Sequence, residues 1–234
     1  VWLAKGTSTQ PNYAIWSPLN NSLQLPIYDI FGLLSSPSTA ANTIASAFNI
    51  IEYNNTVILG LFPSRTIYKN GTNIYNDVNL LQLPATNNNQ LYIGNAQGAS
   101  GWNLNGSIGE LCIYNSPINS AQRIIVGNYL AAKYGLALSA NDIYVQDNPL
   151  NGNYDHEMAG IGRVNNANQH IDARGSAVVR INNPSGLGDN EFMLWGHDNG
   201  LLGSWGNMDR PAGVQGRWYR VWRVSEVNSS GAAV

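Results

Sequence analysis

The chain has 234 residues, of which 44% are hydrophobic and only 11% charged, and its formal net charge at pH 7 is -2. An apolar fraction of this size can bury a core, which excludes an intrinsically disordered protein. The low and slightly negative charge offers no basic surface for nucleic acid, and no apolar run is long enough to cross a bilayer. We therefore expect neither nucleic-acid partners nor membrane insertion.

Asparagine is a major source of polarity, with 33 residues. Because Asn tolerates the left-handed backbone conformation and bonds its own backbone, this abundance predicts many tight turns between short strands. From the N-terminus, segments such as YAIWSP, TVILGLF and QLYIGNA follow one another without helices between them, a pattern typical of an antiparallel sandwich. Asn70-Gly71, in TIYKNGTNIY, predicts the type I′ turn of a hairpin.

The stretch SPINSAQRIIVGNYLAAKYGL predicts a long helix from Asn119 to Tyr134. Asn119 and Gln122 have the spacing of a capping box, and Gly135 suits the position that ends a helix. We expect the helix to brace one end of a first β domain, residues 1–137, and a second β module to occupy residues 138–234. The chain starts in VWLAK, which resembles a strand already under way, and ends at VNSSGAAV without a stop signal. We therefore expect the first domain to lack its N-terminal part and the second its C-terminal part.

Two groups of segments carry a resemblance to known families. LNGSIGELCIYN and the helix resemble the closing half of a laminin-G-like, concanavalin-A-like jelly roll, through Gly106, Ile108, Glu110, Tyr114, Asn115 and the run from Tyr129 to Gly135. EMAGIGR, FMLWGHDNG and RVWRVSE resemble an uncharacterised β module that follows such jelly rolls in adhesin-like proteins of gliding or biofilm-forming Gram-negative bacteria. The resemblance implies an all-β fold: an antiparallel jelly-roll sandwich closed by one C-terminal helix, then a second β-sandwich-like module. It also implies a secreted or cell-surface location.

The sequence offers no catalytic constellation. Retaining glycosidases need two carboxylates about 5 to 5.5 Å apart, whereas Glu52 and Glu110 are isolated in the first domain. No G-x-S-x-G nucleophile motif is present. Cys112, the single cysteine, lies in the alternating segment GELCIY, which predicts a small buried side chain rather than a reactive thiol. We expect the protein not to be an enzyme.

Sugar binding requires an exposed aromatic surface beside planar hydrogen-bonding groups. Trp102, followed by Asn103 and Asn105 in GWNLNGS, is the candidate in the first domain, and Trp205 in LLGSWGNMD is placed similarly in the second. The alternative is that Trp102 packs under its own loop. Trp218, Arg220 and Trp222 alternate along one strand, which we interpret as cation–π packing at a core edge.

A cation site is a further candidate. The segment DNPLNGNYDHE offers oxygen ligands from Asp147, Asn151, Asp155 and Glu157, which suit a hard cation such as Ca²⁺. It is not an EF-hand, because Pro149 and Met158 occupy positions that should carry ligands. A structural Ca²⁺ is therefore a hypothesis.

Three functions remain open from the sequence. The first is a non-catalytic adhesion and spacer region of a large secreted or surface-anchored bacterial protein, with cell-surface or matrix glycans, other surface proteins and neighbouring modules as partners. The second is a carbohydrate-binding appendage of a larger glycan-active enzyme. The third is a structural stalk module without a ligand. Exposure of Trp102 would count against the third.

Overall fold

The computed structural model describes residues 2–6, 11–17, 21–28, 34–44, 47–58, 62–78, 88–96, 102–175, 178–203 and 209–228. Within these residues the protein is all-β, built of several antiparallel sheets and one α-helix. The chain divides into two compact units, one of Val1–Tyr68 and Asn73–Pro117 and the other of Lys69–Thr72 and Ile118–Val234.

Most described strands of the first unit have five residues or fewer, as the turn-rich sequence predicts. They are β1 (Leu3–Gly6), β2 (Pro11–Ile15), β3 (Ile27–Tyr28), β4 (Leu34–Ser35), β5 (Ile51–Ile58), β6 (Phe62–Lys69), β7 (Thr72–Val78) and β8 (Leu91–Ile93). They form two three-stranded sheets, in the orders β2-β1-β8 and β5-β6-β7, and the pair β3-β4. Leu23, Leu25 and Ile67 form one buried cluster, and Ala4, Ala14 and Ala96 form another.

The predicted hairpin turn is confirmed. Strand β6 ends at Lys69 and β7 begins at Thr72, so Asn70 and Gly71 alone connect them. Both have positive φ, 48° and 84°, as a type I′ turn requires.

The segment GELCIY differs from its prediction. No strand is formed between Trp102 and Asn119, so the alternating side chains have no sheet against which to bury one face. Cys112 is exposed, and so are Ile113 and Tyr114. The expectation of a buried Cys112 is therefore wrong.

The described part of the second unit contains the helix and six strands. Its elements are α1 (Ser120–Tyr134), a 3₁₀ turn (Pro149–Asn151), β9 (His156–Asn165), β10 (Asn168–His170), β11 (Asp172–Gly175), β12 (Val179–Asn182), β13 (Glu191–His197) and β14 (Trp222–Asn228). Four strands form a sheet in the order β10-β9-β13-β14, and β11 pairs with β12. No helix among the described residues combines the length and apolar character needed to cross a membrane.

Helix α1 begins and ends as the sequence predicts. The Asn119 side chain accepts from the backbone N–H of Gln122, and the Gln122 side chain accepts from the backbone N–H of Asn119. Gly135 adopts the left-handed conformation, and its N–H bonds carbonyls of the last turn. These local hydrogen bonds satisfy groups that a helix end leaves unpaired, so they fix both ends.

The packing of α1 differs from the sequence-based division. The sequence analysis places the helix in the first domain, residues 1–137, whereas the structure groups it with the second unit. The reason is burial: Ala121, Ile124, Ile125 and Ala132 of α1 belong to one core with Met158, Phe192, Leu194 and Val227 of the four-stranded sheet. The helix therefore covers a face of that sheet.

Glycines allow this sheet to pack closely. Gly160 and Gly162 of β9 pair with Leu194 and Phe192 of β13, and a Cβ on either glycine would overlap the side chain of its partner. The two large side chains thus lie over the glycines of the neighbouring strand, which explains the EMAGIGR pattern.

Candidate functional site

Trp102 combines exposure with a fixed position in the first unit. Its residue surface is 43% exposed. The ring of Trp16 meets it edge to face, with centroids 5.1 Å apart and an interplanar angle of 89°. Trp16 is itself held, because its indole N–H donates to the Gln24 side chain at 2.7 Å and the backbones of the two residues bond each other in both directions.

The other predicted sugar-binding residues have different outcomes. Asn103 and Asn105 are exposed and follow Trp102 closely in the chain. Together these three residues form what we call the Trp102 surface. Trp205 lies outside the described residues, so its role stays a prediction.

A β-bulge in the second unit positions a charged side chain unusually. Trp195 pairs with Ala159 and His197 with His156, so β9 carries one residue more than β13 across this step. Glu157, within the bulge, has a φ of 47°, which is uncommon for a residue with a long side chain. Bulges redirect side chains, and here the Glu157 carboxylate lies 2.9 Å from His197 Nε2.

His197 and Arg220 complete what we call the Glu157 cluster. His197 is buried, and its Nδ1 accepts from the backbone N–H of Asn199 at 3.0 Å. Because Nδ1 is an acceptor, the neutral ring carries its proton on Nε2, and the Nε2–H group donates a hydrogen bond to Glu157. Arg220 Nη1 lies 3.6 Å from the Glu157 carboxylate, and Arg220 Nε donates to the carbonyl of Gly200.

The turn after His197 holds Arg220 in place. The carboxylate of Asp198 accepts from the backbone N–H groups of Gly200 and Val221. Partial burial raises the pKa of Asp198, but these N–H groups outweigh that effect and leave the pKa below its ordinary value. A carboxylate ionised in this position links the turn to the segment that carries Arg220.

The contacts of the Glu157 cluster fix the orientation of one carboxylate. Both nitrogens of His197 already have partners, and the ring is buried, so a substrate cannot reach it. The Glu157 side chain, in contrast, is 59% exposed. Its carboxylate thus contacts His197 and Arg220 on its protein side and remains open to solvent on the other. Such a carboxylate can serve as a hydrogen-bonding group of a binding site.

The four predicted calcium ligands do not converge in the structure. Glu157 is directed to His197, and the side chain of Asn151 donates to the carbonyl of Val145. Among the described residues no group of three or more His, Cys, Asp or Glu side chains is arranged to hold a metal. The calcium site remains a hypothesis that a thermal melt with and without EDTA can test.

The remaining two candidate ligands are partly buried carboxylates. Burial raises the pKa of Asp147 to about 6, and the negative charges of Asp142 and Asp155 add to the effect. Asp155 Oδ1 lies 2.6 Å from Nδ1 of His156, at an angle outside hydrogen-bond geometry. Asp155 therefore has a neighbour other than a metal.

Sequence analysis missed the joint position of His197 and Arg220. They are 23 residues apart in the chain and meet because β13 pairs with β14, where His197 is opposite Trp222. The alternation of Trp218, Arg220 and Trp222 was a signal, which we interpreted as packing. The structure does place the two Trp rings 6.2 Å apart, while Arg220 engages the Glu157 cluster.

Comparison with known proteins identifies one related region. A family model described as a domain of unknown function, DUF8202, matches residues 122–234. The match begins within α1 and continues through the second unit. No curated protein and no solved structure matches the chain.

Proposed function

We propose that the chain is a non-catalytic binding and spacer region of a large secreted or surface-anchored bacterial protein, and that its first unit binds glycans at the Trp102 surface. In this proposal the sheets of the first unit belong to a jelly-roll sandwich, and the second unit is a β-sandwich-like module. The partners are cell-surface or matrix glycans.

The exposure of a braced Trp102 carries the proposal. Ordering a mobile aromatic ring on binding costs conformational entropy and weakens affinity. Trp102 avoids much of this cost, because its ring is already held by Trp16, which Gln24 holds in turn. The exposed part of Trp102 offers an apolar surface for the C–H groups of a sugar, and the amides of Asn103 and Asn105 can bond hydroxyl groups. An exposed Trp102 also favours binding over a stalk without a ligand.

A glycan-array screen of the whole chain tests the proposal. We expect saturable binding to at least one glycan, and we expect Trp102→Ala to weaken it about tenfold or more, as for loss of a central aromatic contact. Phe48→Ala is the matched control, because Phe48 is an exposed aromatic residue of the same unit.

Each result has a defined meaning. Equal loss of binding in Trp102→Ala and Phe48→Ala would point to non-specific apolar contact. Binding that Trp102→Ala leaves unchanged would reject the Trp102 surface, and no binding to any glycan would reject the proposed function. A parallel screen in EDTA tests whether the bound state needs a metal ion.

A further inference from the structure

Four aromatic rings form a continuous row in the second unit, beside the Glu157 cluster. The ring centroids of His156 and His197 are 5.8 Å apart, those of His197 and Trp222 are 6.0 Å apart, and those of Trp222 and Trp218 are 6.2 Å apart. The row begins at the partly exposed His156, passes through the buried His197 and ends at Trp218, which is 43% exposed. It presents aromatic surface on either side of a buried centre.

Glu157 keeps a backbone conformation that its residue type does not favour. Ten non-glycine residues have positive φ among the described part of the chain, and eight of them are Asn, the residue that best tolerates this conformation. Glu157 lacks that tolerance, so the fold alone gives no reason for a glutamate there. Strained residues of this kind cluster at binding and active sites, where the strain fixes a functional group.

The charges of the cluster restrict the class of ligand. The Arg220 guanidinium lies beside the Glu157 carboxylate and also bonds the carbonyl of Gly200. An anionic ligand would meet the Glu157 charge, and a cationic ligand would compete with Arg220. A neutral ligand with many hydroxyl groups can donate to the carboxylate, accept from the guanidinium and place C–H groups against an aromatic ring.

We infer that the second unit has its own binding site for a neutral oligosaccharide, in which Trp218 provides the stacking surface and Glu157 and Arg220 bond the hydroxyl groups. His197 holds the Glu157 carboxylate in position through their hydrogen bond. This site lies within a different unit from the Trp102 surface, so it does not depend on the function proposed there.

Titration of the whole chain with neutral tetrasaccharides tests this inference. The probes are cello-, laminari-, manno-, malto- and xylotetraose, with binding followed by calorimetry and by saturation-transfer NMR. Glu157→Gln removes the charge at nearly constant size, and Trp218→Ala removes an exposed ring. We expect each to weaken binding of the preferred tetrasaccharide about tenfold or more, because Glu157→Gln weakens a hydrogen bond to a charged group and Trp218→Ala removes a stacking contact. Tyr219→Ala is the matched control, because Tyr219 is exposed and adjacent to Trp218.

Stability measurements separate a binding role from a structural one. Gly adopts positive φ without strain, and this relief offsets part of the cost of losing the hydrogen bond to the buried His197, so Glu157→Gly should lose binding while the midpoint of thermal unfolding changes little. If Glu157→Gly and Glu157→Gln both lower the midpoint and leave binding unchanged, the cluster is structural and the inference fails.

The Trp102→Ala variant separates the two proposed sites. Loss of binding in Trp218→Ala and Glu157→Gln but not in Trp102→Ala supports the site in the second unit alone. Loss in Trp102→Ala alone overturns the inference and leaves the proposed function standing. Absence of binding to all five tetrasaccharides overturns the inference, and so does binding to polygalacturonate in preference to them.

Discussion

The side-chain oxygen of Asn128, in the middle of α1, accepts a hydrogen bond of 2.9 Å from the backbone N–H of Tyr144. The same oxygen accepts from the N–H of Ile143, and the amide nitrogen donates to the carbonyls of Ile124 and Asn141. Asn128 is buried and all four hydrogen bonds are made. One amide thus attaches the segment after the helix to the helix itself.

Replacement of Asn128 by Leu should destabilise the second unit. The backbone N–H groups of Ile143 and Tyr144 would lose their acceptor in a buried place, and each such loss costs about 1–3 kcal/mol. We expect a decrease of at least about 2 kcal/mol in the free energy of unfolding, measured by urea denaturation. Lys133→Arg, at an exposed position of the same helix, keeps the positive charge in the last turn and should change it by less than about 0.5 kcal/mol. Equal effects of the two substitutions would contradict this account.

An ion pair whose arginine is buried should make the first unit sensitive to a small change at Asp77. Arg65 is 1% exposed and donates to both carboxylate oxygens of Asp77, at 3.0 and 2.6 Å. Asp77→Asn leaves the buried guanidinium without a compensating charge. Because the Asp77 side chain is 22% exposed, we expect a cost of about 3 kcal/mol, the lower end of the range for removing one partner of a buried pair. Urea denaturation measures this cost.

The control for Asp77 lies on the same hairpin. Asn76 is exposed and accepts from the hydroxyl of Thr66, so Asn76→Ala removes a cross-strand bond without burying a charge. We expect a change below about 1 kcal/mol. If Asp77→Asn lowers the free energy of unfolding no more than Asn76→Ala does, the ion pair of Arg65 and Asp77 does not stabilise the unit as the burial of Arg65 indicates.

Local signals made part of the fold predictable. The ends of α1 depend on Asn119, Gln122 and Gly135, and the hairpin turn depends on Asn70 and Gly71, so each is determined by a few consecutive residues. Packing partners are not encoded locally. The apolar face of α1 fits either unit in principle, and only the contacts with residues such as Phe192 and Leu194 decide for the second.

The same difference explains the outcome at the candidate sites. Trp102 could be named as an exposed candidate because an aromatic residue in a turn-rich, amide-rich segment is a local pattern. The direction of the Glu157 side chain could not, because the register of β9 and β13 produces the bulge and register is a property of two strands. Sequence analysis therefore grouped Glu157 with Asp155 as a calcium ligand, while the structure directs it to His197.

A methyl group at Gly162 should disrupt the four-stranded sheet. A Cβ at this position would overlap the ring of Phe192, which is fully buried and cannot move without displacing the core. We expect Gly162→Ala to destabilise the second unit by about 1–3 kcal/mol, the range for overpacking. Gly186→Ala is the control, because a Cβ there meets no atom within 4 Å. Similar unfolding midpoints for the two variants would show that the strands can separate at little cost.

The raised pKa of Asp147 predicts the direction of a pH effect on stability. In the folded protein the pKa of Asp147 is about 6, mainly through burial, against an ordinary value of 3.8. Between these values the folded state binds more protons than the unfolded state, so this group makes stability fall as the pH rises from about 4 to about 6. Above that window the carboxylate is ionised in an unfavourable place.

Asp147→Asn should remove this contribution. The variant and the wild type should have equal stability near pH 4, and the variant should be more stable at pH 7 by an amount on the order of 1 kcal/mol, since the group is only half-buried and solvent screens it. Asp142→Asn should give a smaller change of the same sign, because the charge of Asp142 is a secondary cause of the raised pKa. Urea denaturation from pH 4 to pH 8 measures both. Identical pH profiles for wild type and Asp147→Asn would show that Asp147 is ionised without cost in the folded protein.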